Sequence, residues 1–264
     1  MTQDTTWTAA MSEVYDRMLG PMTFEPYATR LAEIARELQP QRVMEIAAGS
    51  GIVTAALVGA LPDAEITATD LNQGMVDYGE QRVPGATWRA ADAQDLPFED
   101  SSFDLVVCQF GAMFFPDKVA AFAETARVLS PGGRFLLAIW DVLATSDFEV
   151  ALTASVASVL DDDQPSFLER VPHGYADPGQ IRADLTAGGL EIDDLERLVL
   201  KTSAPSAAWI VEGYCQGSPL RFALEQAGSL PELTEAIATE LTSRLGEGPV
   251  TGEMAAFVVT ARKP

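Results

Sequence analysis

The chain is 264 residues long and nearly half apolar, enough to bury one large core or a core with a modest cap. Its 39 acidic and 17 basic side chains leave a net charge of −22, a field that repels nucleic-acid phosphates and anionic lipid heads, and no Lys/Arg cluster interrupts it. Two cysteines give neither a disulfide framework nor metal-ligand spacing, residues 1–10 lack a secretory pattern, and every apolar run is far shorter than the roughly 18 residues of a membrane span. The expectation is a cytoplasmic protein without a metal and without a nucleic-acid or membrane partner.

The first periodic segment places Tyr27, Leu31, Ile34 and Leu38 on one face and stops at Pro40, which predicts an amphipathic helix. A strand over 42–47 follows, within the run Val43-Met44-Glu45-Ile46-Ala47-Ala48-Gly49-Ser50-Gly51. The strand closes in a small-residue turn that feeds a helix over 52–60. Gly49 and Gly51 present no Cβ, so the backbone there can approach a ligand closely. A second strand over 65–70 ends in Asp70, an acid placed to hold the two hydroxyls of a ribose.

Alternation continues through a helix at 75–81, strands at 87–91 and 103–109, a helix at 118–129 and a strand at 134–140. This pattern argues for a parallel sheet covered on both faces. Beyond Trp140 the period loosens. Helices are expected at 147–160, 178–188, 206–217 and 231–245, a loop at 161–165, and strands at 190–201 and 254–262.

A glycine turn followed by a ribose-binding acid suits either a dinucleotide or S-adenosylmethionine. A dinucleotide would bring its pyrophosphate to the turn, where Glu45 repels it. Thr54 also stands at the third glycine position of a G-x-G-x-x-G fingerprint. S-adenosylmethionine carries an ammonium that Glu45 offsets and a carboxylate that the turn N–H groups receive. The NAD(P)-dependent oxidoreductase is therefore the weaker alternative.

Four further segments accompany the turn: Thr69-Asp70-Leu71-Asn72-Gln73-Gly74-Met75, Ala91-Asp92-Ala93-Gln94-Asp95-Leu96-Pro97-Phe98, Ser102-Phe103-Asp104-Leu105-Val106-Val107, and Arg127-Val128-Leu129-Ser130-Pro131-Gly132-Gly133-Arg134-Phe135. With them the chain resembles the class I S-adenosylmethionine-dependent methyltransferases, in the small-molecule group of ubiquinone/menaquinone-biosynthesis-like enzymes. The resemblance covers residues 41–140 and departs from the family at Ala47, where glycine is usual; crowding of the methionyl end is expected there.

The resemblance implies a Rossmann-like α/β fold: a seven-stranded, mostly parallel sheet with an antiparallel last strand, helices on both faces and a helical cap. It implies a core of 27–140, 179–201 and 252–264, with 1–26, 141–178 and 202–251 as cap and substrate-facing segments. The cofactor-binding candidates are Glu45, Ala47, Gly49, Gly51, Asp70, Leu71, Met75, Asp92, Ala93 and Gln109. Substrate-pocket candidates are Tyr15, Phe24, Met113, Phe114, Trp140, Trp209 and Tyr214, which point to an apolar or aromatic acceptor. His173 is the candidate general base, since its unperturbed pKa lies nearest neutrality. Methyl transfer to oxygen, nitrogen or carbon all remain open, as does a protein that binds the cofactor without methylating.

Overall fold

The apolar strands assemble as their alternation with helices requires. In the computed structural model, which describes residues 9–161 and 167–264, they are β1 (Arg42–Ile46), β2 (Glu65–Asp70), β3 (Thr87–Ala90), β4 (Phe103–Gln109), β5 (Leu129–Trp140), β6 (Glu191–Ala204) and β7 (Val250–Arg262). The sheet order is β3-β2-β1-β4-β5-β7-β6. β1 to β5 pair in parallel, and β7 runs antiparallel to both β5 and β6. Leu105–Cys108 and Phe135–Ile139, in β4 and β5, are fully buried, as central strands covered on two faces must be.

The helices are α1 (Ala9–Val14), α2 (Glu25–Leu38), α3 (Ile52–Ala60), α4 (Gln73–Arg82), α5 (Lys118–Val128), α6 (Asp147–Leu160), α7 (Phe167–Arg170), α8 (Pro178–Ala187), α9 (Ala207–Gly217), α10 (Leu220–Ala227) and α11 (Leu230–Leu245). From β1 the chain winds outward through β2 to β3, and from β4 outward through β5. Right-handed crossovers therefore put α3 and α4 on one face and α5 on the other. Strand order reverses between β1 and β4, where the loops diverge and open a crevice at the carboxyl edge. α6, α9 and α11 pack together at the end of the sheet, and α9 packs in turn on the segment Tyr15–Phe24.

Tyr15–Phe24 was not anticipated. It coils in wide turns with the Glu25 N–H bonded to the Gly20 carbonyl, the i→i+5 register of a π-helix. Pro21, which has no N–H to donate, sits inside it. α10 was also missed, since only Leu220 and Leu224 are buried in it. β6 and β7 run longer than their apolar period: past Trp140↔Ala256, where β5 ends, they continue as a ribbon to Ala204↔Val250. β5 starts earlier than expected, at Leu129, because that residue pairs with Phe103 before the ladder shifts register. Of the loop expected at 161–165, only Asp161 lies within the described residues. No helix among the described residues is long and apolar enough to cross a membrane.

Candidate active site at the strand tips

The turn after β1 holds three left-handed residues in five positions: Ala47 at φ 55°, Gly49 at φ 55° and Gly51 at φ 85°. Their roles differ. A Cβ built on Gly49 would meet no protein atom within 4 Å, because that position faces the crevice. A Cβ on Gly51 would come within 2.9 Å of the Trp88 ring. Gly51 therefore packs against β3 and is not among the residues lining the cleft, contrary to its expected place beside a ligand.

Ala47 adopts a backbone that costs a non-glycine residue about 1–2 kcal/mol. Its methyl lies against Gly111, whose own Cβ would come 2.4 Å from it. Bulk gained at position 47 is thus accommodated by a glycine in the loop after β4.

Two acids flank the turn. Glu45 is buried, lines the cleft and accepts a 2.5 Å hydrogen bond from Thr54 Oγ1. Burial pushes its carboxyl up to about 8, partly countered by Thr54. Asp70, at the tip of β2, accepts from the backbone N–H of Gly49 at 2.9 Å and of Asn72 at 2.8 Å. Burial raises its pKa and those two N–H groups oppose the rise. Two of its roughly four lone-pair sites stay open. Asp92, after β3, accepts from the Gln94 N–H at 2.9 Å, so its oxygens are held by a turn.

The cleft carries these acids together with Ala47, Gly49, Leu71, Met75, Ala93 and Gln109. Every expected cofactor residue except Gly51 therefore lines a single crevice. Its far wall is aromatic. Tyr15 stacks on Phe24 with ring centroids 4.7 Å apart, and Phe110, Phe114 and Phe115 continue the wall. The crevice holds about 1150 Å³ of space including its open mouth.

Gln109 stands between the acids and the aromatic wall. Its Nε2 donates to the Phe24 carbonyl at 3.2 Å, and its buried Oε1 has no partner. No Lys, Arg or His is among the described lining residues, and residues 1–10 and 162–166 contain none. The nearby cations are engaged elsewhere. Arg82 binds Asp16 and the Gly51 carbonyl, and Lys118 binds the Phe115 carbonyl and lies over the Tyr175 ring.

The N-terminal segment is latched over the turn by Asp16. Its carboxylate accepts from Ser50 Oγ at 2.9 Å, Arg82 Nε at 2.9 Å and Tyr78 Oη at 3.2 Å. Nothing in the sequence singles out Asp16, since its partners lie 34 to 66 residues away. Phe110, Asn72 and Gln94 also line the cleft unforeseen. Each is a near neighbour of a residue that was named, and position just past a strand tip was the available signal.

Besides Gly51, five candidates are not in the cleft. His173 is buried, with Nε2 2.7 Å from Glu149 Oε2 and Nδ1 2.5 Å from the Asp141 carbonyl. Both nitrogens face acceptors, an arrangement that favours the doubly protonated ring paired with Glu149. Burial would lower its pKa, but the Glu149 carboxylate outweighs burial and raises it, while Glu149 is held low in return. A ring spent in this way has no free nitrogen with which to take a substrate proton. Tyr214 donates to Glu149 at 2.8 Å, and Trp209 Nε1 to the Met18 carbonyl at 3.1 Å, so both brace the cap. Trp140 stacks behind Phe110 at 3.6 Å, and Met113 is buried. None of the described residues of 141–178 or 202–251 lines the cleft; their helices back the N-terminal segment that does. Cys108, just before Gln109, is buried, and burial pushes its thiol up to about 12.

Comparison with known proteins agrees with this geometry. Residues 44–137 match a methyltransferase-domain family. A demethylmenaquinone methyltransferase of Clavibacter sepedonicus is 39% identical over 133 residues, 48% of this chain and 54% of that protein. A malonyl-[acyl-carrier protein] O-methyltransferase of Hahella chejuensis is 32% identical over 130 residues, 48% of this chain and 46% of that protein. The chain spans about half the length of the curated relatives it matches. Among solved structures, a phosphoethanolamine N-methyltransferase of Haemonchus contortus, in complex with phosphomonomethylethanolamine and S-adenosylhomocysteine, superposes with a TM-score of 0.61. It is 17% identical, over 100% of this chain and 61% of that one, a likeness of fold.

Proposed function

We propose that this chain, whose residues 44–137 form a class I S-adenosylmethionine-dependent methyltransferase domain, transfers a methyl group from that cofactor to a small organic acceptor. The observation that carries this reading is a crevice walled by the buried Glu45 and the half-buried Asp70, without a cation among its described lining residues. Such a site suits a ligand that brings positive charge and hydroxyl donors; a pyrophosphate would set its charge beside two acids with no cation to offset it. Gly49 leaves the gap into which the ligand would fit.

When bound, S-adenosylmethionine supplies a methyl group on a sulfonium that is already an activated leaving group. Glu45 would offset the ammonium, and the N–H groups at the start of α3 would receive the carboxylate. Asp70 would accept from the ribose hydroxyls with its open lone pairs, and Asp92 and Ala93 would meet the adenine edge. Leu71 and Met75 would pack on the adenine face. Tyr15, Phe24 and the loop after β4 would position the acceptor and keep water from the methyl carbon. Alignment of this kind contributes on the order of 7–11 kcal/mol in favourable cases. The acceptor would supply the electron pair for the new bond, sulfur would keep the pair of the C–S bond it gives up, and any proton on the attacking atom would leave to water at the open mouth.

The net charge of −22 supports a protein without a nucleic-acid or anionic-membrane partner, and the two buried, unbridged cysteines suit the cytoplasm. Calorimetric titration with S-adenosylmethionine and with NADH tests the cofactor: binding of the first alone is expected, and tight NADH binding alone overturns the reading. A methyl-labelled donor tests transfer. Bound cofactor with no label in any acceptor would identify a binder that does not methylate.

A further inference from the structure

Resting on the cofactor assignment above, we infer that Ala47 and Gly111 form a steric lock at the amino-acid end of the cofactor, and that the bare Cα of Gly111 determines whether the crevice admits that end. Gly111 has φ −99° and ψ −35°, a right-handed backbone open to any L residue. The chain conformation therefore does not call for glycine. The neighbours do. A Cβ at position 111 would lie 2.4 Å from the Ala47 methyl and 3.1 Å from Cys108 Sγ, while the next atom, Ala47 Cα, is at an ordinary 3.8 Å. Without the Ala47 methyl, only the sulfur would have to yield, by a few tenths of an ångström. The family's usual glycine at 47 has become alanine, and position 111 has no side chain to meet it. The two residues are interdependent.

Ala47 cannot retreat from such a conflict. Its turn is tied to β2, since the Ala48 N–H donates to the Thr69 carbonyl at 2.9 Å and the Gly49 N–H to Asp70 at 2.9 Å. Added bulk at 111 therefore displaces the loop after β4, which starts at Phe110 and turns through the Phe114 N–H bond to the Gly111 carbonyl. Phe110, Gly111 and Phe114 line the crevice together with Ala47. A close-packed interior passes such a shift on to its neighbours and does not absorb it.

Position decides which part of a ligand feels the lock. β1 lies between β2 and β4, and Glu45 in β1 pairs with Val107 in β4. The contact of Ala47 with Gly111 thus spans the gap between β1 and β4, two residues beyond Glu45, the acid assigned to the ammonium. Asp70 and Asp92 follow β2 and β3, on the other side of β1, and are assigned to the ribose and the adenine. One extra methyl at 111 should crowd the amino-acid end and leave the nucleoside in place.

The test titrates the full chain with S-adenosylhomocysteine and with 5′-methylthioadenosine, which keeps the adenosine and the thioether but lacks the amino-acid arm. The parent is expected to bind the first at least about tenfold more tightly, the worth of one charge-assisted hydrogen bond. A parent that binds neither sinks the cofactor assignment and the lock with it; one that binds both alike overturns the lock alone. Gly111→Ala should bring the two affinities within about threefold of each other, with 5′-methylthioadenosine held within about twofold of its parental value. Ala47→Gly added to the same chain should restore the preference. A merely structural lesion weakens both ligands together, so equal losses overturn the inference. So does an undiminished preference in Gly111→Ala, or a double variant no better than the single one. Should Gly111→Ala fail to fold, the double variant carries the test. It is expected to fold and to keep the preference, and failure in either respect overturns the inference.

Discussion

Glu45 sets how the cleft responds to protons. Its carboxyl sits near 8 in the free protein because burial disfavours the anion, whereas an ammonium partner favours the anion. Below pH 8, cofactor binding must therefore expel a proton, and affinity should climb as pH rises toward 8. Above that, the cofactor's own α-amino group, with an ordinary pKa of about 7.7–8.0, loses its charge and affinity should fall. Calorimetry from pH 6 to 9 should trace a bell, and Glu45→Gln should lose its acid limb. An acid limb that survives the substitution would remove Glu45 from the ammonium site. Ala47 makes a separate prediction. Its left-handed backbone is strained for any side chain, so Ala47→Gly should raise unfolding stability by about 1 kcal/mol, read as a shift in denaturant midpoint. The gain should come without loss of cofactor affinity, since Gly111 already absorbs the methyl.

The segment from α1 to Phe24 is fastened by Asp16, whose carboxylate joins three side chains from α3's entry turn and α4. Asp16→Ala should speed S-adenosylhomocysteine release about tenfold, the worth of a charge-assisted hydrogen bond, measured by stopped flow. An unchanged release rate would show that this segment does not retain the ligand. The ion pair of His173 with Glu149 ties the loop after α7 to α6, and Tyr214 adds α9. Removing one member of a buried pair costs about 3–5 kcal/mol. His173→Ala should thus lose stability on that scale while turnover per folded molecule holds; loss of turnover at full stability would restore His173 as the base.

The same two elements show what could be read from sequence. The turn, Asp70 and the Asp92 segment were legible because their chemistry is local: a strand tip, a glycine, an acid within a few residues. Asp16 and Glu149 acquire their meaning from partners brought up by the fold, across 34 to 66 residues for the first and 24 to 65 for the second. A lone histidine in a turn-rich stretch looks solvated and reactive for the same reason. Burial turned it into a brace.

For the whole molecule, the net charge of −22 means that self-repulsion weakens the compact state at low salt. Raising ionic strength from about 0.01 to 0.15 M shortens the screening length from about 30 to about 8 Å, so the melting temperature should rise. A flat or falling response would show that local ion pairs dominate. The pH profile has a direction as well. His173 has a raised folded pKa, so its contribution is complete below about 6.5 and is lost as pH climbs through the raised value. Glu149, held low, contributes above about 4.5 and is lost only in more acidic solution. Glu45 adds to the alkaline loss, because its raised pKa makes the folded chain favour the protonated form up to about pH 8. Thermal denaturation of the ligand-free protein should therefore show greatest stability on the acidic side of neutrality and a decline from pH 6 to 9.

Cys108 immediately precedes Gln109, close to where a methylating agent would lie, and a thiolate is among the best nucleophiles a protein owns. With its thiol pushed up to about 12 by burial, the anion is scarce at neutral pH. The packing around the end of β4 thereby guards this thiol against alkylation: it is kept silent by the same burial that holds the sheet together.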